Sequence, residues 1–257
     1  MPPEITASLL YNLVQCPKRV ELDLFGDASL RDQINPFIAM LWRRGALYEN
    51  EVMESGQLAA LDLSSAPAED KERHTLEAMG RGEPLIYGGR ISADGLVGIP
   101  DLLRRDVGGY TPIDIKSGRG KEGGSDDEDG KPKLHYAVQL ALYVDVLERL
   151  GLSAGRKGII LDVRGREVTY DLGEPRGVKK TDTLWDEYLG HLATAQTIVD
   201  RSFAPKGALA SSFKLCHWCS SCSDTLRADD DLTLIPVLGR ALRDAMEGTL
   251  PTVAALA

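Results

Sequence analysis

The sequence predicts a mixed α/β fold, in which helical segments surround one run of short strands. Apolar residues recur at helical spacing near both ends of the chain, whereas the region from Leu85 to Lys116 consists of short apolar segments. These segments are separated by Asp94-Gly95 and Gly108-Gly109, which are typical of hairpin turns. Because the 257 residues are 43% hydrophobic, the chain can bury a substantial core.

Three helical stretches are predicted before the strands. Thr6 can cap the first helix, and Pro17 would end or bend it just after Cys16. Apolar residues at mostly helical spacing predict a second helix from about 36 to 63 and a third from about 69 to 79. The second stretch contains interior glycines, which favour a break within it.

The central strands are predicted to form a meander. We interpret 85–91, 96–104 and 110–116 as three antiparallel strands joined by tight turns. The following stretch, 118–133, holds five Gly and one Pro among charged residues. It is too polar to pack, which predicts a mobile loop beside the strands.

The sequence then predicts a buried helix, a second hairpin and a further helix. Tyr136 to Leu150 is apolar over much of the helix circumference, and Gly151 would end this helix. Such a helix should lie buried against the sheet. The hairpin is expected at 158–163 and 167–172, and the last helix at 181–203.

Composition and charge exclude some classes of protein. No stretch approaches the roughly 18 apolar residues of a membrane span, and the start, MPPEITASLL, lacks the features of a signal peptide. We therefore expect a soluble, cytoplasmic protein without a membrane partner. The net charge of -9 argues against a surface that attracts nucleic acid throughout, but it is compatible with a local basic groove.

Two carboxylates and a lysine lie in neighbouring apolar segments. Asp101 belongs to GIPDLL, whereas Asp114 and Lys116 belong to PIDIKSG and share one face of a strand. The two carboxylates and the backbone carbonyl of Ile115 would form an open oxygen site for Mg²⁺ or Mn²⁺. The lysine would orient an attacking water or offset charge on a phosphate. Taken alone, the two segments are slightly more typical of a turn carboxylate and a surface lysine.

The helix that follows carries two conspicuous polar groups. Gln139 and Tyr143 lie four residues apart, hence on one face of an otherwise apolar helix. The ordered combination of GIPDLL, IDIKSGR and QLALYV resembles the RecB-like branch of the PD-(D/E)XK nuclease superfamily. This resemblance implies a restriction-endonuclease-like core, with a central mixed sheet flanked by helices. It also implies that Asp101 and Asp114 bind metal, that Lys116 is catalytic, and that Gln139 and Tyr143 position the lysine or the DNA backbone.

The chain departs from that branch at one position. Its members usually carry a His-Glu pair before the sheet, with the histidine as a metal ligand, but this chain has Tyr48-Glu49. A neutral phenol is a poor ligand for Mg²⁺ or Mn²⁺. Three alternatives follow: Glu49 takes part in the site, the site holds its metal with fewer protein ligands, or the enzyme is impaired.

The cysteines suggest a second site. In a reducing compartment, the four cysteines are more typical of thiols or metal ligands than of disulfides. Cys16 lies near the N-terminus, and the other three form a C-x2-C-x2-C motif. Four thiolates can hold Zn²⁺ or an iron-sulfur cluster, and the spacing does not choose between them. The motif comprises Cys216, Cys219 and Cys222.

The split cysteine arrangement is similar to that of the AddB-like and CRISPR-associated RecB-like exonucleases. That resemblance implies a [4Fe-4S] cluster that joins the N- and C-terminal segments of the nuclease domain. Those relatives more often have a longer gap before the last cysteine, so Phe213 stands at one expected ligand position. Cys219 would substitute for that ligand, and His217 is a nearby alternative.

These observations predict a metal-dependent deoxyribonuclease with a nuclease domain at 1–223. The remainder, 224–257, is similar to a helix-hairpin-helix unit, although Val237 replaces its first hairpin glycine. The resemblance implies exonuclease or flap-processing activity on single-stranded DNA or DNA ends, in repair, recombination or CRISPR adaptation. A helicase, recombination or CRISPR protein would be the partner, since this chain has no Walker-type segment. The alternative is a DNA-binding scaffold that kept the fold and the cysteine-ligated site but lost turnover.

Overall fold

A computed structural model describes residues 3–55, 58–123, 130–177, 180–209 and 216–256. The chain divides into two compact units, each built from two segments. The first unit comprises Met1–Val14 and Trp42–Gln196, and the second comprises Gln15–Leu41 and Thr197–Ala257. The division at residue 223 expected from the sequence differs from these units and stays a prediction.

The described elements follow the mixed order that the sequence predicts. The helices are α1 (Ala7–Gln15), α2 (Pro17–Phe25), α3 (Pro36–Glu54), α4 (Ala68–Gly80), α5 (Leu134–Arg149), α6 (Leu184–Val199), α7 (Cys219–Ala228) and α8 (Arg240–Met246). The strands are β1 (Ile5–Thr6), β2 (Leu61–Asp62), β3 (Leu85–Tyr87), β4 (Ile91–Ala93), β5 (Leu96–Gly98), β6 (Leu102–Asp106), β7 (Gly109–Ile115), β8 (Lys121–Glu122), β9 (Lys131–Pro132), β10 (Lys157–Leu161), β11 (Glu167–Asp171), β12 (Pro175–Gly177) and β13 (Lys180–Thr183).

A six-stranded mixed sheet forms the centre of the first unit. Its strand order is β11-β10-β7-β6-β3-β2, with parallel pairing of β10 to β7 and of β2 to β3. A separate three-stranded sheet has the order β1-β5-β4. Helix α5 packs against strands of both sheets and buries every residue from Tyr136 to Leu147. The predicted mixed fold, with a central mixed sheet flanked by helices, is therefore confirmed.

The predicted three-strand meander is correct for the segments that form β3, β6 and β7, but not for the residues between β3 and β6. β3, β6 and β7 do pair antiparallel, but β4 and β5 leave this sheet and form a hairpin in the other one. Gly88 has a φ of 66° at the first departure. Pro100, which lacks a backbone N–H, lies at the return. Asp101 consequently lies between two strands, and the expectation that it lies late within one strand is wrong.

Helix boundaries agree with the predictions near the N-terminus and differ elsewhere. Thr6 Oγ1 accepts a hydrogen bond from Leu9 N at 3.1 Å, which confirms the predicted cap of α1. The second predicted helix ends at Glu54, well before 63, and residues Leu61–Asp62 form β2 instead. The last predicted helix begins at Leu184, because the residues before it pair in β13.

The ends of the predicted polar loop are paired. β8 and β9 form an antiparallel ladder, and a Cβ added at Gly120 would lie 2.7 Å from Val168 Cγ2. Glycine thus permits a close backbone approach to β11. The expectation that 118–133 is too polar to pack is wrong for these ends, and 124–129 lie outside the described residues.

The second unit contains α2, α7 and α8. The Trp218 side chain is fully buried, and its indole N–H donates to Asp23 Oδ1 at 2.8 Å. Arg243 is also buried and pairs with Asp231 Oδ2 at 3.1 Å. Val237, which replaces the expected hairpin glycine, has a φ of 65° and is exposed. The helix-hairpin-helix assignment of the tail stays a prediction.

Among the described residues, no helix combines the length and apolarity needed to cross a bilayer.

Candidate active site

The break between β5 and β6 places Asp101 against the end of β7. Asp101 Oδ2 accepts a hydrogen bond from the backbone N–H of Ile115 at 2.5 Å. The carbonyl oxygen of Asp101 accepts from the N–H of Gly88 at 2.9 Å. The turn is therefore held from both sides, and it brings the carboxylate next to Asp114, which precedes Ile115 in β7.

Asp114 and Lys116 lie side by side, as the period of a β-strand requires. The Asp114 side chain is almost completely buried, and Lys116 Nζ forms an ion pair with its Oδ2. Apart from this ion pair, that oxygen has no hydrogen-bond partner among the described residues. It can therefore accept a further ligand in a buried place.

Asp101 and Asp114 lie close enough for their charges to interact. Burial and the neighbouring charge of Asp114 raise the pKa of Asp101 well above its ordinary value, and Lys116 only partly opposes this shift. Burial by itself lowers the pKa of Lys116, but the charges of Asp114 and Asp101 outweigh burial and raise it. The lysine therefore stays charged, and the two carboxylates still repel each other.

Gln139 and Tyr143 lie in α5 and bond to each other. Gln139 Nε2 donates to the Tyr143 hydroxyl at 3.1 Å, and that hydroxyl donates to the Ile99 carbonyl at 3.4 Å. Burial and the charges of Asp114 and Asp101 raise the pKa of Tyr143, so the phenol stays neutral. The pair thus connects α5 to the segment that carries Asp101.

Close packing around Tyr143 depends on Gly98. A Cβ added at that position would lie 2.7 Å from Tyr143 Cδ1. Gln139 Oε1, by contrast, is buried and has no hydrogen-bond partner among the described residues. The structure thus brings Gln139 and Tyr143 to the carboxylates, as the sequence pattern suggested, and leaves one amide oxygen with free acceptor capacity.

Tyr48 and Glu49 point to different neighbours. The Tyr48 hydroxyl donates to the Asp162 carbonyl at 2.5 Å. Glu49 Oε1 accepts from the Tyr87 hydroxyl at 3.0 Å, and its charge contributes to the raised pKa of Asp101. Glu49 therefore belongs to the electrostatic environment of the site, whereas the phenol of Tyr48 is engaged with the β10–β11 hairpin.

Two tyrosines near the site were not singled out from the sequence. Tyr87 binds Glu49, and burial with that hydrogen bond raises its pKa to about 12. The Tyr136 ring has Lys116 Nζ at 5.6 Å and Lys133 Nζ at 4.9 Å from its centroid. A tyrosine in an apolar strand or helix is a common core residue, so neither had a signal in the sequence.

The four cysteines lie in the second unit. Cys16, Cys222 and Trp218 form a buried cluster, against which Cys216 and Cys219 pack. None of the four forms a disulfide. Burial raises the pKa of Cys222 to about 12, and the charges of Cys16 and Cys216 contribute to that shift.

The arrangement of the side chains around the cysteines determines whether a metal ion can bind there. Among the described residues, no group of three or more His, Cys, Asp or Glu side chains has the arrangement that holds a metal ion. His217, the alternative ligand, contacts Asp23 Oδ1 at 2.7 Å through Nε2. Phe213, at the position of the expected cysteine, lies outside the described residues.

Comparisons with known proteins identify the family. A model of the PD-(D/E)XK nuclease superfamily matches residues 27–223. Sixteen chains among the solved structures also match. One, titled "Crystal structure of SSO0001", is 19% identical, covers 82% of this chain and 95% of its own, and has a TM-score of 0.31. No curated protein matches.

The region matched by the family model includes Asp101, Asp114, Lys116 and the whole of α5. It spans well over half of the chain. The buried carboxylate pair with its lysine lies in the same region, at one end of the central sheet. The chain thus belongs to the PD-(D/E)XK nuclease superfamily.

Proposed function

We propose that this chain is a metal-dependent deoxyribonuclease whose active centre comprises Asp101, Asp114 and Lys116. The observation that carries the proposal is the close approach of a half-buried carboxylate, Asp101, to a buried one, Asp114, beside a charged lysine. Such an arrangement is costly unless a cation or substrate compensates it. Perturbed ionisable groups in one cluster are typical of catalytic sites.

The donor set fits a hard divalent cation. Asp101, Asp114 and the carbonyl of Ile115 would hold Mg²⁺ or Mn²⁺, and Asp114 Oδ2 has spare acceptor capacity for it. Glu49 lies near enough to Asp101 to contribute negative charge. When bound, the cation would supply Lewis acidity for phosphodiester hydrolysis.

The side chains of this chain would bind and orient the reactants. Hydrolysis forms a P–O bond from water and breaks the P–O bond to one sugar oxygen. The Lys116 ammonium would donate to a phosphate oxygen or orient the attacking water. Gln139 and Tyr143 would keep the Asp101 segment in register with α5, because the phenol bonds to Ile99.

The finer substrate assignment rests on the RecB-like resemblance. We propose action on single-stranded DNA or DNA ends, as an exonuclease or flap-processing enzyme in repair, recombination or CRISPR adaptation. A motor or recombination protein would be a separate partner chain. The competing function is a DNA-binding scaffold without turnover. The engagement of Tyr48 with Asp162 favours this alternative, because the phenol does not replace the usual histidine ligand.

One cleavage experiment separates the two functions. Labelled single- and double-stranded DNA would be incubated with purified protein and Mg²⁺ or Mn²⁺. We expect cleavage that is abolished by EDTA and reduced at least about 100-fold in Lys116→Ala. Lys131→Ala, which removes an exposed lysine of β9, is the control for loss of a lysine charge and should cut normally. Cleavage that survives EDTA or Lys116→Ala would refute this mechanism, and binding without cleavage would favour the scaffold.

We also propose that the four cysteines hold a [4Fe-4S] cluster, with Zn²⁺ as the alternative. The four cysteines pack around Trp218, and burial raises the pKa of Cys222, so thiolates at this place would need a compensating cation. Protein purified without oxygen should contain iron and sulfide, and Cys222→Ser should lose both. Ser221→Ala, in the same helix, should retain them. Protein that contains no iron but binds one zinc ion would favour the Zn²⁺ site over the [4Fe-4S] cluster.

A further inference from the structure

A second lysine lies beside the candidate active centre. Lys133 immediately precedes α5, and its Nζ lies 4.9 Å from the centroid of the Tyr136 ring. Lys116 Nζ lies 5.6 Å from the same centroid. The two ammonium groups therefore border one aromatic ring, near the end of β7.

The backbone between the two lysines leaves space at this ring. A Cβ added at Gly118 would lie 3.5 Å from the Tyr136 hydroxyl and 3.9 Å from Lys133 Nζ. Because glycine has no side chain, the segment after Lys116 can pass close to Lys133 without covering it. Lys133 Nζ thus lies beside the segment that follows Lys116.

The position of Lys133 is unfavourable for a positive charge in the free protein. Its half-buried ammonium lies at the N-terminal end of a 16-residue helix, where the macrodipole is already positive. No carboxylate of the described residues forms an ion pair with it. Burial lowers the pKa of Lys133, and the charge of Arg119 acts in the same direction, although the charges of Glu122 and Asp162 partly oppose this shift. An external anion would relieve this accumulation of positive charge.

The half-buried rings of His135 and Tyr11 suit a nucleotide as the source of that anion, whereas the Tyr136 ring beside the two lysines is buried. His135 lies edge-on to Tyr136, with ring centroids 4.5 Å apart, and Tyr11 lies 4.9 Å from His135. Burial and the charges of Lys133 and Lys116 lower the pKa of His135 to about 4, so this ring is neutral at pH 7. Neutral aromatic rings beside cations are a common surface for single-stranded nucleic acid.

We propose that Lys133 forms a second phosphate subsite, which binds a phosphate of the DNA strand next to the phosphate at Lys116. The inference rests on the proposed function, because that function places the scissile phosphate at Lys116. Consecutive phosphates of one strand are one nucleotide apart, so one strand can contact both lysines. An internal diester and a terminal 5′-phosphate share this chemistry.

Binding without cleavage tests the subsite directly. A fluorescein-labelled single-stranded oligonucleotide would be titrated with protein in EDTA, and anisotropy would give Kd at several salt concentrations. Lys133→Ala should weaken binding about tenfold and reduce the salt slope by about one phosphate contact. Lys133→Arg should bind almost normally. Lys131→Ala, an exposed lysine two residues earlier, should leave the affinity near that of the unmodified protein.

Chemically altered oligonucleotides distinguish the two phosphate sources. A single neutral methylphosphonate beside the scissile position should weaken binding to the unmodified protein and have no further effect on Lys133→Ala. If only removal of a 5′-phosphate has this effect, the ligand is the terminal monoester. Equal affinity and salt slope for Lys133→Ala and Lys131→Ala would overturn the subsite.

The outcomes for the subsite and for the nuclease are independent. Binding that depends on Lys133 without any cleavage in Mn²⁺ would retain the subsite and refute the proposed function. If Lys133→Ala and Lys131→Ala cut and bind DNA equally well, the proposed function is retained and the subsite is refuted. Circular dichroism and thermal unfolding of each variant would establish folding, and Lys133→Gln would replace an alanine variant that fails to fold.

Discussion

At the residue scale, adjacent positions in α3 have different roles because a helix turns by about 100° per residue. The Tyr48 hydroxyl donates a hydrogen bond to the Asp162 carbonyl. Glu49 accepts a hydrogen bond from Tyr87, and its charge raises the pKa of Asp101. The sequence alone left three alternatives for this pair. The electrostatics favour the participation of Glu49, since its charge contributes to the raised pKa of Asp101.

We predict that Tyr48→Phe affects stability and leaves metal binding unchanged. The substitution removes the hydroxyl that donates to Asp162 and leaves that carbonyl without this donor. The free energy of unfolding should fall by about 1 kcal/mol, measured by urea denaturation. The affinity for Mn²⁺, measured by calorimetry, should stay the same.

Tyr87→Phe is the matched comparison, because it also deletes one phenol oxygen. It releases Glu49, so we expect weaker Mn²⁺ binding in addition to any loss of stability. If Tyr48→Phe weakened Mn²⁺ binding more than Tyr87→Phe, the assignment of the two residues would be reversed.

At the scale of elements, the β10–β11 hairpin depends on one buried carboxylate. Asp162 Oδ1 accepts from Arg164 N at 2.9 Å and from Arg166 N at 3.2 Å, and Oδ2 accepts from Arg166 Nη2 at 2.9 Å. Although burial raises its pKa, these hydrogen bonds outweigh burial and lower it below the ordinary value of 3.8. The hairpin was predictable from its Arg164-Gly165 turn, but the role of Asp162 was not.

We predict that Asp162→Asn destabilises the protein at neutral pH by about 1 to 3 kcal/mol. Because the folded pKa is lowered, the contribution of Asp162 is fully present above pH 3.8 and is lost as pH falls through the folded value. The difference in unfolding free energy between variant and unmodified protein should therefore shrink in acid. Urea denaturation at neutral pH and below pH 3.8 measures this difference. A constant difference across both conditions would exclude the ionic role.

The strand boundaries at the active site illustrate what sequence patterns could not supply. Period two placed Asp114 and Lys116 on one face, and this arrangement is present. The departure of β4 and β5 from the sheet was missed, because it depends on the Tyr143 ring packing against Gly98. Such packing is a long-range contact, and no local pattern encodes it.

At the scale of the whole molecule, the carboxylates and the cysteines belong to different compact units. Asp101, Asp114 and Lys116 lie in the first unit, and all four cysteines lie in the second. The second unit is assembled from two distant chain segments, so a cofactor there would stabilise it by reducing the freedom of the unfolded chain. Such a cofactor would have a structural role and would not need to contact DNA.

If the cysteines hold a cofactor as proposed, we predict that its loss loosens the second unit selectively. In Cys222→Ser, hydrogen exchange monitored by mass spectrometry should accelerate in 15–41 and in the described part of 197–256. Exchange in the central strands of the first unit should change little. Ser221→Ala should behave like the unmodified protein, and equal acceleration in both units would argue against a local role.

The sequence by itself determined the fold class, the order of helices and strands, and the acid, acid-x-lysine and Gln-x-x-x-Tyr pattern. These features depend on local periodicity and spacing, which a single chain displays directly. Only the tertiary structure decided that Asp101 lies in a turn, that Glu49 acts on the site while Tyr48 does not, and that Lys116 and Lys133 border the same Tyr136 ring. Each of these depends on contacts between residues far apart in the chain, and sequence spacing carries no record of them.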